Sequence, residues 1–419
     1  MKIVFATFGS LGDLHPYIAV ALALRARGHR PVIATFAEYR DGVEAAGVEF
    51  SAMRPDMAAF GDKSAIMARL IDPWRGPEYM VRKMFIPHVR ESYEDLRRAC
   101  AGADLLVTHP LTFAGPLLAQ KEGLRWVSTA LSPMTMFSAF DPPIFPAAPW
   151  LHAARRLGVR PYRLLFRVPR AMLRHWERPV RAFRTELGLP PTSAVLQIEG
   201  QFSPRLHLAL FPAPLAAPQP DWPANTVVCG FPRYDGRPPD RSPPAALEEF
   251  LAGGDPPLVF ALGSSAVMVA GNFWRAAIDA AARLGRRAIL ITGAPPDGFN
   301  AVPPTVRVCD YVPYSTVFPR ASVIVHSGGI GTLAQALAAG RPQLIVPVAF
   351  DQPDNARRAT ALGVGLSIPF RQASAQAMTR ALADVMSDPG YERRAQAAMD
   401  AVSQDGAVAA AQALERVAG

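Results

Sequence analysis

Short apolar runs that stop at a glycine-rich turn and pass into a helical pattern recur along this chain, and that unit restricts what it can fold into. The first is Lys2 to Phe8, followed by the turn Gly9 to His15 and a helical pattern from Pro16 to Arg27 that stops at Gly28. A run that is apolar at nearly every position, rather than alternating, suits a strand buried on both faces in a parallel sheet. Pro31 to Phe36 reads as the next strand, followed by a helix from Glu38 to Ala46 and a strand from Val48 to Met53. The pattern resumes with a strand at Asp104 to Thr108, a helix from Thr112 to Gly123 and a strand from Trp126 to Leu131. The expected class is α/β, with a doubly wound, Rossmann-like parallel sheet.

A second series begins at Pro257. Strands are expected at Leu258 to Leu262, Arg287 to Thr292, Val306 to Val308, Val323 to His326 and Leu344 to Val346. Helices fit Asn272 to Leu284 and residues 332–339, 353–362, 374–386 and 390–403. Residues 134–200, rich in Met, Phe, Pro and Arg, read as loops and irregular helices. Eleven prolines fall between residues 211 and 256, and Tyr234 to Pro244 is the expected linker. With 419 residues, the chain is long enough for two domains of roughly 200 residues each. The expected organisation is an N-terminal domain over 1–232, a proline-rich linker over 233–256 and a C-terminal domain over 257–419. The two domains are expected to face each other across a cleft, with the last helix available to pack back on the first.

Composition removes several classes. The three cysteines, Cys100, Cys229 and Cys309, are too far apart in sequence for a CxxC pair or a disulfide framework. No apolar run reaches the roughly 18–20 residues of a membrane span, and the apolar start is shorter than a signal peptide requires. A cytoplasmic protein is the expectation. The net charge of +9 suits an anionic partner, and no nucleic-acid motif accompanies it.

The most informative stretch is Val323 to Leu333. A strand ends at His326, and Ser327, Gly328, Gly329, Ile330 and Gly331 turn into a helix that carries Thr332. Glycines let backbone N–H groups approach an anion, and a helix start favours negative charge. With a ring N–H from His326 and the Thr332 hydroxyl, this turn can hold a diphosphate without a metal. Downstream, Asp351 and Gln352 follow another strand end, and their side chains suit sugar hydroxyls. Asp351 also reads as an N-cap for the helix beginning near Pro353, and the two roles are compatible.

Tyr311-Val312-Pro313, His326-Ser327-Gly328-Gly329 and Asp351-Gln352 together resemble the donor-binding region of family 1 glycosyltransferases, which have the two-domain GT-B fold. The resemblance implies a nucleoside-diphosphate sugar as co-substrate, dTDP- or UDP-linked, and neither cofactor nor metal. It implies that His326 and the glycine turn contact the diphosphate, that Asp351 and Gln352 hold sugar hydroxyls, and that Tyr311 and Val312 lie by the nucleobase. The plant members' base-stacking Trp has no counterpart here. Gly263, Ser264 and Ser265 also match the family, as donor contacts, and so does Gly12.

Gly9-Ser10-Leu11-Gly12-Asp13 resembles the GS-x-GD turn of the bacterial members. Plant members place their general base, a His, where Asp13 stands. Inverting transfer needs a base to take the acceptor hydroxyl proton. Asp13 is the first candidate and His15 the competing one. Asp13, shortly before Pro16, also reads as a helix N-cap.

For the acceptor, His109, Phe113, Met134, Met136 and Phe137 follow strand ends, with Phe140 beside them, and suit a lipophilic hydroxyl compound. Core packing is the alternative for each apolar residue. His109 lines the pocket, orients the base or simply ends a strand. Arg155 to Arg184 holds ten arginines, several at three- and four-residue spacing, with Pro169 and Pro179 expected to interrupt a single helix. This basic segment is either a solvated face or a contact for an anionic inner-membrane surface or a carboxylate-bearing acceptor.

Asp221-Trp222-Pro223, Gly230-Phe231-Pro232 and Asp235-Gly236 extend the likeness toward the B-chain type of rhamnolipid rhamnosyltransferases. That resemblance implies transfer of L-rhamnose from dTDP-rhamnose to a hydroxy-fatty-acid lipid. Sterol and macrolide glycosyltransferases share part of it, so a UDP-glucose-dependent enzyme is the alternative. An NAD-dependent oxidoreductase lacks support, because Gly9 to Gly12 misses the GxGxxG spacing and no acidic residue closes the second strand. A non-catalytic partner protein is the remaining class, and Asp13, His326, Asp351 and Gln352 argue against it.

Overall fold

The computed structural model describes residues 1–236, 244–293 and 302–418. The chain forms two compact units, the first of Met1–Phe211, Ala217–Tyr234 and Asp405–Gly419, the second of Pro212–Ala216 and Asp235–Gln404.

In the first unit seven strands pair in parallel: β1 (Lys2–Ala6), β2 (Arg30–Thr35), β3 (Glu49–Ala52), β4 (Leu105–Thr108), β5 (Trp126–Ala130), β6 (His207–Ala209) and β7 (Thr226–Val228). Their order, β3-β2-β1-β4-β5-β6-β7, reverses between β1 and β4. In such a sheet a ligand site forms beyond the carboxyl ends at the reversal. Strand β1 is buried from Ile3 to Ala6, which explains its unbroken apolar run.

The first helix, Leu11–Ala26, begins five residues earlier than the proline suggested, and Pro16 lies inside it. Ser10 is its N-cap: Ser10 Oγ accepts from Gly12 N at 3.2 Å, and Ser10 N donates to Asp13 Oδ2 at 2.8 Å. Asp13 is therefore the acid of a capping box, not the cap itself.

The region expected to be irregular holds two amphipathic helices, Val159–Trp176 and Arg178–Glu186. Pro169 lies within the first without ending it. Pro179 opens the second, where a missing N–H costs nothing.

The C-terminal helix, Gly406–Ala418, belongs to the first unit. A Cβ at Gly406 would lie 2.6 Å from the Phe231 carbonyl carbon, so the helix start sits directly on backbone. Near its end, Glu415 accepts from Arg27 Nε and Nη2 at 2.8 and 2.7 Å and pairs with His29 Nε2 at 2.8 Å. Those partners hold the Glu415 carboxyl down at about 2.

The second unit has a six-stranded parallel sheet: β8 (Leu258–Ala261), β9 (Ala288–Ile291), β10 (Val306–Cys309), β11 (Val323–His326), β12 (Gln343–Ile345) and β13 (Gly365–Ser367). The order β10-β9-β8-β11-β12-β13 again reverses beside the first strand. Alternate residues of β8 enter different cores. Leu258 and Phe260 pack with Phe273, Ala277, Met378 and Leu382, whereas Val259 and Ala261 pack with Leu247, Val317 and Phe318.

Of the expected linker, residues 237–243 lie outside the described residues, and Ala245–Ala252 is a helix that buries Leu247 and Leu251. The segment Pro212–Ala216 is held within the second unit by a buried, ion-paired arginine. Arg358 Nε donates to Asp354 Oδ2 at 2.7 Å and Arg358 Nη1 to Leu215 O at 3.1 Å. Among the described residues no helix is long and apolar enough to cross a membrane.

Candidate active site

In the first unit the chemistry gathers past the ends of β1 and β4. Gly9 adopts φ +129°, and a Cβ there would sit 2.2 Å from Asp13 Oδ2. Only glycine leaves room for the carboxylate. With Oδ2 committed to Ser10, Asp13 Oδ1 lies 3.6 Å from Nε2 of His109, which is 7% exposed on its side chain against 33% for Asp13. Leu111 N donates to His109 Nδ1 at 3.3 Å, so Nε2 carries the proton and faces the carboxylate. Tyr17 meets the His109 ring edge-on at 6.3 Å. Its hydroxyl bonds Thr129 Oγ1 at 2.6 Å, and burial raises its pKa. Tyr39 donates to Gly9 O at 3.0 Å and closes the turn from outside. Neither tyrosine was a candidate from sequence.

His15 lies two residues after Asp13, with its ring edge-on to Tyr234 at 5.1 Å. Burial lowers its pKa to about 4, which leaves it neutral at pH 7 but weakly basic.

The acceptor candidates separate. Phe113 is a core residue, 4% exposed and edge-on to Phe85, and Met136 is buried with its Sδ 3.3 Å from His207 Nε2. Their place after strand ends did not bring them to the surface. Met134 and Phe137 are half-buried, and Phe140 is exposed. Phe137 has φ +50°, a left-handed conformation that is costly for an aromatic residue. It is held against Phe145 and Phe166 at 6.0 and 6.1 Å. The loop after it is fixed by Asp221, which accepts from Ser138 Oγ at 2.6 Å and Ala139 N at 2.8 Å.

In the second unit, β11 delivers His326 into full burial. Gly328 N donates to His326 Nδ1 at 3.0 Å, so the ring proton is on Nε2 and is donated to Gln343 Oε1, also at 3.0 Å. Burial, opposed by the Gln343 bond, lowers the ring's pKa to about 4. The expected ring N–H for a diphosphate is thus already spent inside the protein. What His326 does instead is fix the turn. Gly328, at φ +83°, has no room for a side chain, since a Cβ would lie 2.9 Å from Ile345 Cγ2. Asn355 Nδ2 donates to its carbonyl at 3.0 Å, and Ser327 Oγ donates to Leu262 O at 2.7 Å.

The helix that follows, Ile330–Ala338, has Gly329 as N-cap and no side-chain cap. A first turn has no intrahelical acceptors for its N–H groups, here those of Ile330, Gly331 and Thr332. Such N–H groups at a helix start are able to meet an anion. The Thr332 hydroxyl pairs with Tyr314, whose burial pushes its pKa up to about 12. Gly263, at φ +79°, abuts the Thr332 hydroxyl: a Cβ there would lie 3.2 Å from it. Ser264 and Ser265 follow in the single-turn helix Gly263–Ala266, half-exposed.

Asp351 is the N-cap of helix Gln352–Ala361 by position, but its carboxylate makes no cap bond. It accepts from Asn355 Nδ2 at 2.7 Å, one turn along. Gln352 Oε1 accepts from Val348 N and Ala349 N at 2.8 and 3.1 Å, so the amide oxygen expected to meet a sugar holds the loop and its NH2 is left to donate. Phe350, at φ +58°, is the second aromatic residue in the left-handed region. Tyr311 is 41% exposed, with its hydroxyl donating to Asp235 O, and Val312 is buried beside it. Gln335, on the helix of the glycine turn, donates to Asp235 Oδ1 at 2.7 Å. Among the described residues no three His, Cys, Asp or Glu side chains group to hold a metal ion.

Comparison with known proteins follows this division. Residues 3–94 match the family described as glycosyltransferase family 28 N-terminal domain. Residues 275–416 match the family described as erythromycin biosynthesis protein CIII-like, C-terminal domain. Among curated relatives, O-mycaminosyltylonolide 6-deoxyallosyltransferase of Streptomyces fradiae is 32% identical over 97% of this chain and 94% of its own length. A sterol 3-beta-glucosyltransferase of Arabidopsis thaliana is 28% identical over 98% of this chain and 64% of its own length. Among solved structures, the spinosyn rhamnosyltransferase complexed with thymidine diphosphate has a TM-score of 0.71 at 20% identity, covering 99% of this chain and 100% of that one.

The Gly9 and Gly12 contacts give opposite expectations for alanine. At Gly9 the conformation and the 2.2 Å clash with Asp13 both oppose a side chain, and Gly9→Ala should cost about 1–3 kcal/mol. At Gly12 the nearest atom, Ser10 Oγ, is an ordinary 3.5 Å away, and Gly12→Ala should be neutral or add about 0.5–1 kcal/mol within the helix. Urea midpoints of the two variants check this, and equal midpoints would contradict the turn geometry.

Proposed function

The chain belongs to the GT-B glycosyltransferases of the family 1/28 type, and we propose that it moves a 6-deoxyhexose, L-rhamnose first among them, from a dTDP-linked donor to a hydroxyl of a lipophilic acceptor. Enzymes of this fold use a nucleotide sugar as co-substrate rather than a bound cofactor.

The observation that carries the mechanism is the Asp13 carboxylate, anchored through one oxygen and faced by a protonated His109 nitrogen at the other. In the proposed step Asp13 takes the acceptor hydroxyl proton as that oxygen attacks the anomeric carbon. The bond from that carbon to the diphosphate oxygen breaks, and the electron pair leaves with the nucleoside diphosphate, so the anomeric configuration inverts. His109 orients the carboxylate and stays protonated on Nε2. In the second unit the leaving charge is met by the first N–H groups of helix Ile330–Ala338. His326, neutral and internally bonded, holds that turn in shape, while Asp351 and the Gln352 NH2 take sugar hydroxyls. Tyr311 and Val312 border the nucleobase.

The donor reading is supported by a relative named for 6-deoxyallosyl transfer and by a rhamnosyltransferase of the same fold that carries thymidine diphosphate. The acceptor reading is supported by Phe140, which is exposed, and by Met134 and Phe137, which are half-buried beside it. A hydroxy-fatty-acid lipid fits them, and so does a macrolide. The sterol 3-beta-glucosyltransferase relatives favour the competing reading, a UDP-glucose donor with a sterol or macrolide acceptor.

Contact with an anionic inner-membrane surface has its own support. Residues 142–176 contain seven arginines and no Asp or Glu, and Leu164, Val168 and Met172 form an exposed apolar stripe at four-residue spacing. The chain should cosediment with phosphatidylglycerol vesicles and lose that with Arg160→Glu and Arg167→Glu together. Equal binding to neutral vesicles would contradict it.

For the reaction, Asp13→Asn keeps an acceptor for Ser10 N but removes the base. Transfer should fall about 10²–10⁴-fold, with dTDP affinity unchanged by calorimetry. Near-normal turnover would overturn the assignment and move the base to His15.

A further inference from the structure

A cavity of about 410 Å³ lies within the first unit. It is bordered by Trp126 at the start of β5, by Arg205 just before β6 and by Gly123 just past helix Ala114–Glu122. That is the amino edge of the sheet, whereas His109 follows the carboxyl end of β4. The cavity is therefore separate from the Asp13 site.

Its walls are largely apolar, but three arginines enter the lining: Arg181, Arg184 and Arg205. The lining's one acid is already satisfied. Glu177 accepts from Leu196 N and Gln197 N at 2.9 and 3.0 Å and lies 3.6 Å from Arg181 Nη2. Arg181 Nη1 and Nη2 donate to the carbonyls of Thr192 and Ala194, and Arg184 Nε and Nη2 donate to Pro190 O and Gln120 Oε1. These hydrogen-bond partners are neutral, and Glu177 faces only Arg181, so the lining keeps more positive than negative charge. Arg181 Nε is buried with no hydrogen-bond partner. Burial and the neighbouring Arg181 push the Arg184 guanidinium below its ordinary pKa. A buried donor without a partner costs free energy unless something accepts from it.

We infer that this cavity is a second ligand site, taking an amphiphilic carboxylate whose head accepts from the arginines and whose aliphatic chain lies on the apolar wall. The inference does not rest on the acceptor reading above, since it uses none of the residues near Asp13.

The test is calorimetry on the full chain with decanoate, decanol and inorganic phosphate. Decanoate should bind at one equivalent and at least about tenfold more tightly than either of the others, because the site reads charge and chain together. Arg205→Gln, an exposed change, and Arg184→Gln should each weaken decanoate about tenfold and leave dTDP affinity unaltered. Because Arg184 also holds the 190–194 loop, Arg205→Gln is the cleaner variant. Decanol binding as tightly as decanoate would reduce the cavity to an apolar void. Absence of decanoate binding, or undiminished affinity in both variants, would overturn the inference.

Discussion

A parallel strand covered by helices on both faces has nowhere to present polar side chains except past its ends. Both sheets of this protein are parallel throughout, and their central strands are closed to water from Ile3 to Ala6 and from Leu258 to Ala261. The chemistry is therefore displaced to the turns that follow the strands. His109 follows β4, Asp13 follows β1, and His326 ends β11. Each polar group there must find partners in little space, which is why glycines with positive φ stand at Gly9, Gly263 and Gly328.

The two histidines show how one residue type serves two ends by the same local rule. In both, a backbone N–H two residues on donates to Nδ1, Leu111 to His109 and Gly328 to His326. That bond leaves the proton on Nε2. In the first unit Nε2 faces a half-exposed carboxylate; in the second it is consumed by a buried glutamine. The first arrangement orients a group that meets solvent, and the second stabilises a backbone turn. Capping has a similar double use at Asp13, where one oxygen secures the helix and the other remains directed outward. Strain is placed the same way, with Phe137 and Phe350 both left-handed in the loops after β5 and β12, where rigid neighbours can hold it.

Much of the fold was legible because short, nearly unbroken apolar runs, several of them followed by a glycine turn, announce a parallel sheet. Strands β6, β7 and β13, each of three residues, were not, whereas β12, equally short, was placed to within one residue. The first helix was placed late because Pro16 looked like its start, although Ser10 and Asp13 carried the capping spacing. Site positions were legible as strand-end turns, but side-chain duties were not. Nothing in the sequence pairs His326 with Gln343, Thr332 with Tyr314, or the Gln352 oxygen with its own preceding loop, because those bonds follow from depth of burial. Asn355 was the exception that spacing could have found, one helical turn beyond Asp351. Phe113 and Met136 took the core-packing alternative, because residues after a strand can turn inward as readily as outward.

The central claim is that the second unit receives a nucleoside diphosphate on a helix start shaped by His326. Thermal unfolding of the full chain with dTDP, UDP, GDP and NAD tests it most directly. A ligand at 100 times its Kd adds about 2.7 kcal/mol to the folded state. The account predicts a clear stabilisation by dTDP, or by UDP under the competing donor reading, and none by NAD. Stabilisation by NAD alone, or by no nucleoside diphosphate at all, would contradict it.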